Sequence, residues 1–296
     1  MKLRIIIGAA VILAIPAALY FIIRPQSKND NSSIDLKLPT IALQPMFYEE
    51  SNFLSAIKKA ENIRSEKDIQ AVVVPHHLLA SEYIAGMLKR ASSKKIDTII
   101  IIGPNHENVS QEILASALAK WKTPLGEVMS DSNLANKFFS EFNQQTNLAP
   151  FVHEHSVGAQ VPFVKYFFPN AKILPIIINS YAKFSDAERL SAWLFKNLPA
   201  NSLIIVSTDF SHYLTYEEAE KNDLQTRQWI EHKDASAISH LNNDFVDSPI
   251  SLATILLLAQ NAGWQMQEIY HSNSFNFSLN KPAETTSYFG LEFVKP

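Results

Sequence analysis

The sequence predicts an α/β fold: a single domain with a mostly parallel or mixed central sheet flanked by helices, preceded by an N-terminal transmembrane helix. Three observations predict it. Short runs rich in Val and Ile, of strand length and apolar throughout, recur along the chain. Amphipathic helical patterns lie between them, as in βαβ units. An uncharged stretch at the N-terminus matches the thickness of a bilayer's apolar core. The composition agrees, since 296 residues that are 47% hydrophobic and 19% charged suit a globular chain rather than a disordered or fibrous one.

Lys2 and Arg4 precede Ile5 to Ile23, which are 19 residues without a charge, and Arg24 and Pro25 close the run. As a helix it spans roughly 28 Å at about 1.5 Å per residue, enough to cross a membrane. It ends in the bulky Leu19, Tyr20, Phe21, Ile22 and Ile23, without the small residues of a cleavage site, so residues 1–24 read as an uncleaved anchor. Lys2 and Arg4 favour a cytoplasmic N-terminus over the opposing Arg24 and Lys28, giving a single-pass topology with an extracytoplasmic domain. Residues 25–40 are polar, contain two prolines and show no helical period; they form a linker. The domain occupies residues 41–296.

Within it, Phe53, Leu54, Ile57 and Ala60 recur at helical spacing and predict a helix over 52–64. Strands are predicted at 71–74, 98–102, 173–178 and 203–206, where the apolar residues are continuous and β-branched. Helices are predicted at 81–91, 131–142, 186–197, 216–230 and 250–262, and a last strand at 285–294. No internal repeat or low-complexity tract breaks the region after residue 41.

The chain has no cysteine, which excludes a disulfide scaffold, a thiolate nucleophile, a zinc finger and a cysteine-held iron–sulfur cluster. GxSxG, HExxH and GxxxxGK[ST] are absent, and seven glycines leave little for a glycine-rich phosphate loop. A formal charge of −3 gives no sign of a nucleic-acid partner. Without Lys2, Arg4 and Arg24, 23 basic residues face 29 acidic ones, a balance that does not hold a domain flat on anionic lipid.

The polar residues gather at strand ends. The first run exits into Pro75-His76-His77, the second into Gly103-Pro104-Asn105-His106, and the fourth into Ser207-Thr208-Asp209-Phe210-Ser211-His212. In open α/β sheets the carboxyl edge is where loops converge on a ligand crevice. Four of the nine histidines follow these strands directly, and His153 and His155 precede another apolar stretch. Neutral imidazole is the commonest ligand for divalent transition metals, so His76 and His106, with Asp209 or His212, supply a candidate metal or proton-transfer set. Asp209 and His212, three apart across an expected tight turn, fit a carboxylate-supported general base, or Asp209 simply caps the turn. His155 reaches the same crevice from another side, while His77 points elsewhere. His232, His240 and His271 read as ordinary surface or core histidines.

In order and spacing, VVVPHH (72–77), IIIGPNH (100–106), TPLGEV (123–128), EHSVGAQVPF (154–163) and VSTDFSHY (206–213) resemble the Memo family, whose microbial members are called AmmeMemoRadiSam system protein B. Phe47-Tyr48, Pro249-Ile250 and Ser287-Tyr288-Phe289-Gly290 extend the likeness across residues 41–296. The family is similar in fold to class III extradiol dioxygenases, which hold non-haem Fe(II). The resemblance implies His76 and His106 as metal ligands, Asp209 and His212 as the remaining polar pair with His212 the acid/base, and His155 as another catalytic crevice histidine. It also implies company from AmmeMemoRadiSam system proteins or a peptide ligand.

The departures matter as much. The family's usual cysteine four residues before Pro-Ile falls on Phe245, leaving the third metal position to Asp209, to Asp244 if the loop shifts, to water, or to nothing. The family's usual glutamate after EHS-x is Gly158, and the glycine after the histidine pair is Leu78; the segment before Phe-Tyr reads Gln44-Pro45-Met46. Two functions follow. One is a metal-dependent enzyme, with Fe(II) the expected ion and an oxygen-dependent reaction on an unidentified substrate. The other is a membrane-tethered binding or scaffold protein that keeps the crevice without the metal.

Overall fold

The computed structural model describes residues 42–43, 48–66, 68–278 and 280–296. The anchor expected over 1–24 and the linker over 25–40 lie outside the described residues, as do Gln44, Pro45, Met46 and Phe47. Among the described residues no helix is long and apolar enough to cross a membrane.

The chain opens with β1 (Ala42–Leu43), α1 (Glu50–Ala60), β2 (Ile69–Val74), α2 (Ser81–Arg90) and β3 (Thr98–Pro104). Three short strands follow, β4 (Leu114–Ser116), β5 (Lys120–Thr123) and β6 (Gly126–Met129), then α3 (Ser132–Phe142), α4 (His155–Gly158) and α5 (Val161–Phe167). Next come β7 (Lys172–Ile178), α6 (Phe184–Asn197), β8 (Ser202–Ser207), β9 (Phe210–Leu214), α7 (Tyr216–Glu231) and α8 (Ala235–Ser239). The chain closes with α9 (Pro249–Ala262), β10 (Gln265–Asn273), α10 (Ser274–Phe277) and β11 (Thr285–Val294).

The main sheet runs β10-β11-β2-β8-β3-β7-β4, with β9 on β11. Its centre, β2-β8-β3-β7, is parallel, whereas β4, β11, β10 and β9 pair antiparallel, so the sheet is mixed. All seven residues of β3 are buried because both sheet faces are covered. Alternation along the strands sorts the core into two layers. Ile100 and Ile102 join Val73, Val206, Leu190 and Leu256 on one face; Ile99 and Ile101 join Val72, Val74, Ile84 and Phe163 on the other. A smaller sheet, β1-β5-β6, carries the β5–β6 hairpin.

The four apolar runs are strands, extended by one or two residues, and the helices start and stop within two residues of expectation except α1, which ends at Ala60 rather than 64. Helix signals explain the rest. Thr215 and Glu218 form a reciprocal cap at the start of α7, and α9 runs from Pro249 at its first turn to Gly263 in the left-handed region. Among the described residues six strands were not expected, the short β1, β4, β5 and β6 together with β9 and β10. β10 is a partly exposed outer strand of mixed polarity, and β9 turns Phe210–Leu214 from the expected loop into a strand on β11. Asp209 therefore sits in the two-residue corner between β8 and β9, and His212 lies on a strand rather than across a tight turn.

Candidate metal centre

Strands β2, β3 and β8 are neighbours and parallel, so their carboxyl ends deliver His76, His106 and Asp209 to one edge of the sheet. His155 arrives at the first turn of α4, His212 on β9, and Asp247 from the segment leading into α9. Together they line a crevice of about 520 Å³, with His77 and Tyr213 nearer its mouth.

Each side chain is held by a specific neighbour. Glu154 accepts from the backbone N–H of His106 and of Ser156, and its Oε1 lies 2.8 Å from His106 Nδ1. That contact fixes the ring and leaves Nε2 for the crevice. Asp209 Oδ1 accepts from the His76 backbone N–H, and its Oδ2 is 3.5 Å from His76 Nε2. His155 stacks on His106 with centroids 4.0 Å apart and meets His76 edge-on at 4.8 Å. Gly103 on β3 passes Ser156 so closely that a Cβ would stand 2.7 Å from the serine's Cβ and Oγ.

Asp247 is the informative member. Its Oδ1 accepts from Thr208 Oγ1 at 2.5 Å and from the Asp209 backbone N–H at 3.2 Å. Its Oδ2 is buried and has no hydrogen-bond partner in good geometry, yet stands 3.0 Å from His76 Nε2 and 3.6 Å from His106 Nε2. With the rings protonated this oxygen is served by ion pairing, and with the rings neutral a cation seated among the same three atoms would serve it. Two imidazole nitrogens and this oxygen make the two-histidine, one-carboxylate set that suits a divalent transition metal, so the residues fit the ion. His76, His106 and His155, and likewise His76, Asp209 and Asp247, are close enough together to hold a metal ion.

The ion-free electrostatics are polarised. Burial alone would lower His106, but the carboxylates of Asp247 and Glu154 carry its pKa up to about 10. Burial also opposes the charge on His76, and Asp209 and Asp247 outweigh it, raising the ring above its ordinary value. Asp247 is held well below the usual carboxylate range, because His76, His106 and His212 more than offset its burial. His155 moves the other way, pushed down to about 3 by burial and by the neighbouring His76 and His106. Stacked histidines thus divide into a charged and a neutral one.

Of the residues singled out from sequence, His76, His106, His155, Asp209 and His212 line one crevice. The expected pairing of Asp209 with His212 is not observed; the Asp209 carboxylate faces His76, and His212 Nδ1 is buried without a hydrogen-bond partner. His77, expected to point away, also lines the crevice, where the Tyr288 hydroxyl lies 2.6 Å from its Nδ1. His153 is exposed. Asp244 is exposed and bonded to Asn242, so it does not fill the third position, and Phe245 packs near Trp229. No sequence signal marks Asp247, since the family's cysteine position falls on Phe245, two residues before it. Val246, between them, bridges Phe210 and fixes that segment against β9.

A family model described as Memo-like protein matches residues 47–280. A MEMO1 family protein from Pyrobaculum aerophilum is 34% identical over 208 residues, covering 68% of this chain and 74% of its own length. One from Sulfurisphaera tokodaii is 27% identical over 241 residues, covering 78% and 84%. Another, from Methanosarcina mazei, is 30% identical over 213 residues, covering 69% and 78%. Among solved structures, an uncharacterized protein from Escherichia coli K12 is similar with a TM-score of 0.49 at 8% identity, over 75% of this chain and 99% of that one.

Proposed function

Since the chain belongs to the Memo-like protein family, we propose that its crevice is a divalent-metal centre held by His76, His106 and Asp247, with Fe(II) as the ion, serving an oxygen-dependent reaction. The observation that carries this reading is the convergence of the buried Asp247 Oδ2 on the two imidazole nitrogens, at 3.0 and 3.6 Å. When bound, the metal supplies Lewis acidity and, as Fe(II), one-electron chemistry with dioxygen.

The chain's own residues do the rest. Glu154 orients His106 through Nδ1. His212 lines the crevice, where its imidazole can take a proton from a substrate. His155, kept neutral and stacked on His106, offers a hydrogen bond without adding charge beside the metal. Asp209 holds the backbone of His76 in place.

Protein prepared anaerobically with iron is expected to retain about one equivalent in the crevice, lost in His76→Ala/His106→Ala. A crevice still metal-free under those conditions overturns the enzyme reading and leaves a binding protein. The reading places this crevice on a membrane-anchored domain, with residues 5–23 the uncleaved span and the domain extracytoplasmic; the uncharged run and its basic flank support it. A C-terminal alkaline phosphatase fusion is expected to be active, and a well-expressed inactive fusion refutes that orientation.

A further inference from the structure

Among the described residues, one group of metal-ligating side chains stands apart from the crevice, between α7 and β10. Glu220 and Asp223 are three apart on α7 and so share a face of the helix. His271 and Asn273 are two apart on β10 and so share a face of the strand. One ligand atom each from Glu220, Asp223 and His271 lie within 4.8 Å of one another. We propose that Glu220, Asp223, His271 and Asn273 form a second divalent-cation site, suited to Zn²⁺ or Mn²⁺ rather than Ca²⁺.

The geometry is built rather than incidental. The Asp223 carboxylate is buried; Ser211 Oγ donates to its Oδ1 at 2.7 Å, and its Oδ2 lies 2.7 Å from His271 Nε2. The His271 ring rests on Phe289 with centroids 4.5 Å apart, which limits its swing. Asn273 is fully buried, and its Nδ2 donates to Glu220 Oε1 at 2.9 Å while its Oδ1 has no partner. An amide presents nitrogen and oxygen in nearly the same shape, so a half-turn of the side chain brings the unpartnered oxygen to the cluster.

Charge points the same way. Arg227, the nearby cation on α7, is committed to Glu268 through two bonds of 2.8 and 3.0 Å. A donor set of one imidazole, two carboxylates and an amide oxygen suits borderline transition ions, whereas Ca²⁺ favours an all-oxygen shell. Ligation uses a bare Nε2, so the ion replaces the Nε2–H, and the neutral ring carries its proton on Nδ1. Through Ser211 the site is tied to β9, the strand that carries His212.

The test uses the full chain, stripped with chelator and titrated separately with Zn²⁺, Mn²⁺ and Ca²⁺. In a His76→Ala/His106→Ala background, whose crevice set is broken, one equivalent of Zn²⁺ is expected to be retained after desalting, with Tm raised by several degrees and little effect of Ca²⁺. Adding His271→Ala should remove that equivalent. In the otherwise unchanged protein, Glu220→Gln, at a half-buried site, should weaken the same equivalent at least tenfold. Absence of Zn²⁺ from the folded double variant, or equal retention with and without His271, overturns the proposal. Failure of the crevice reading would remove a different equivalent, the one that depends on Asp247.

Discussion

The two histidine–carboxylate clusters use similar side chains in opposite ways. In the crevice, His76, His106, Asp209 and Asp247 lie just beyond strands or before a helix, and Asp247 keeps one oxygen without a hydrogen bond. Between α7 and β10, both Asp223 oxygens already have partners, and the donors stand on regular elements. Polar groups beyond strand ends are not consumed by the ladder and remain available to a ligand. Groups fixed on a helix and a strand exchange existing bonds for a ligand and return mainly stability. Changes in the crevice should therefore move metal affinity more than Tm, whereas changes in the second cluster should move both together.

The largest expected effect is at Asp247. Asp247→Ala removes the one carboxylate oxygen set between the two imidazoles and should weaken crevice metal by at least about 100-fold, on the scale of losing a charged partner in a buried site. Asp244→Ala should leave metal content unchanged, since that side chain is exposed. Elemental analysis of both variants decides it, and loss in Asp244→Ala with retention in Asp247→Ala would break the comparison. Next is Glu154→Gln, which keeps the shape but loses the charge beside His106 Nδ1. Metal affinity should fall by about 10–100-fold, with the fold intact by circular dichroism.

The metal-free protein should show the polarisation of the crevice as a pH dependence. His106 is raised to about 10, so its contribution is fully present below its unfolded value of about 6.5 and is lost as pH rises through about 10. His155 is lowered to about 3, so the unfolded chain takes up its proton first and stability falls as pH drops from about 6.5 toward 3. Melting in chelator across that range should peak between the two limbs, and His106→Gln should flatten the alkaline one. A flat alkaline limb in the unaltered protein would show that Glu154 and Asp247 do not hold His106 charged.

Gly103→Ala tests the wall behind the histidines. The added Cβ would stand 2.7 Å from Ser156 and 3.1 Å from the Ser207 carbonyl, neither the far end of a flexible side chain. Overpacking there should cost about 1–3 kcal/mol, read as a Tm lowered by several degrees. Weaker metal at unchanged Tm would show instead that α4 yields and carries His155 with it.

Much of this was legible in the sequence because the parallel strands bury both faces, so Ile99–Ile102 and Ile173–Ile178 read as continuous apolar runs. The histidines after those runs inherit their place from topology, which is why His76 and His106 could be paired without coordinates. β10 was not legible, since a partly exposed outer strand such as QMQEIYHSN lacks an apolar run. That omission hid the cluster of His271 with Asp223, whose contact depends on which helix face meets which strand. Asp247 was hidden differently: nothing local marks it, and only the bridge from Val246 to Phe210 aims it at the crevice.

The smallest expected effect is at Tyr213, which has φ 56° and lies at the crevice mouth beside His212. A left-handed backbone costs an aromatic residue about 1–2 kcal/mol, and such strain gathers at functional sites. Neither Glu220, Asp223, His271 nor Asn273 shows a positive φ, which sets the two clusters apart in backbone as well as in hydrogen bonding. Tyr213→Gly removes the steric cost but gives the unfolded chain more freedom, so the two terms partly cancel. The net should be a gain of under about 1 kcal/mol, seen in denaturant midpoints at an unchanged slope. If crevice metal affinity stays the same, the strain only shapes the mouth. If affinity falls as stability rises, the strain in β9 is what holds His212 toward the crevice.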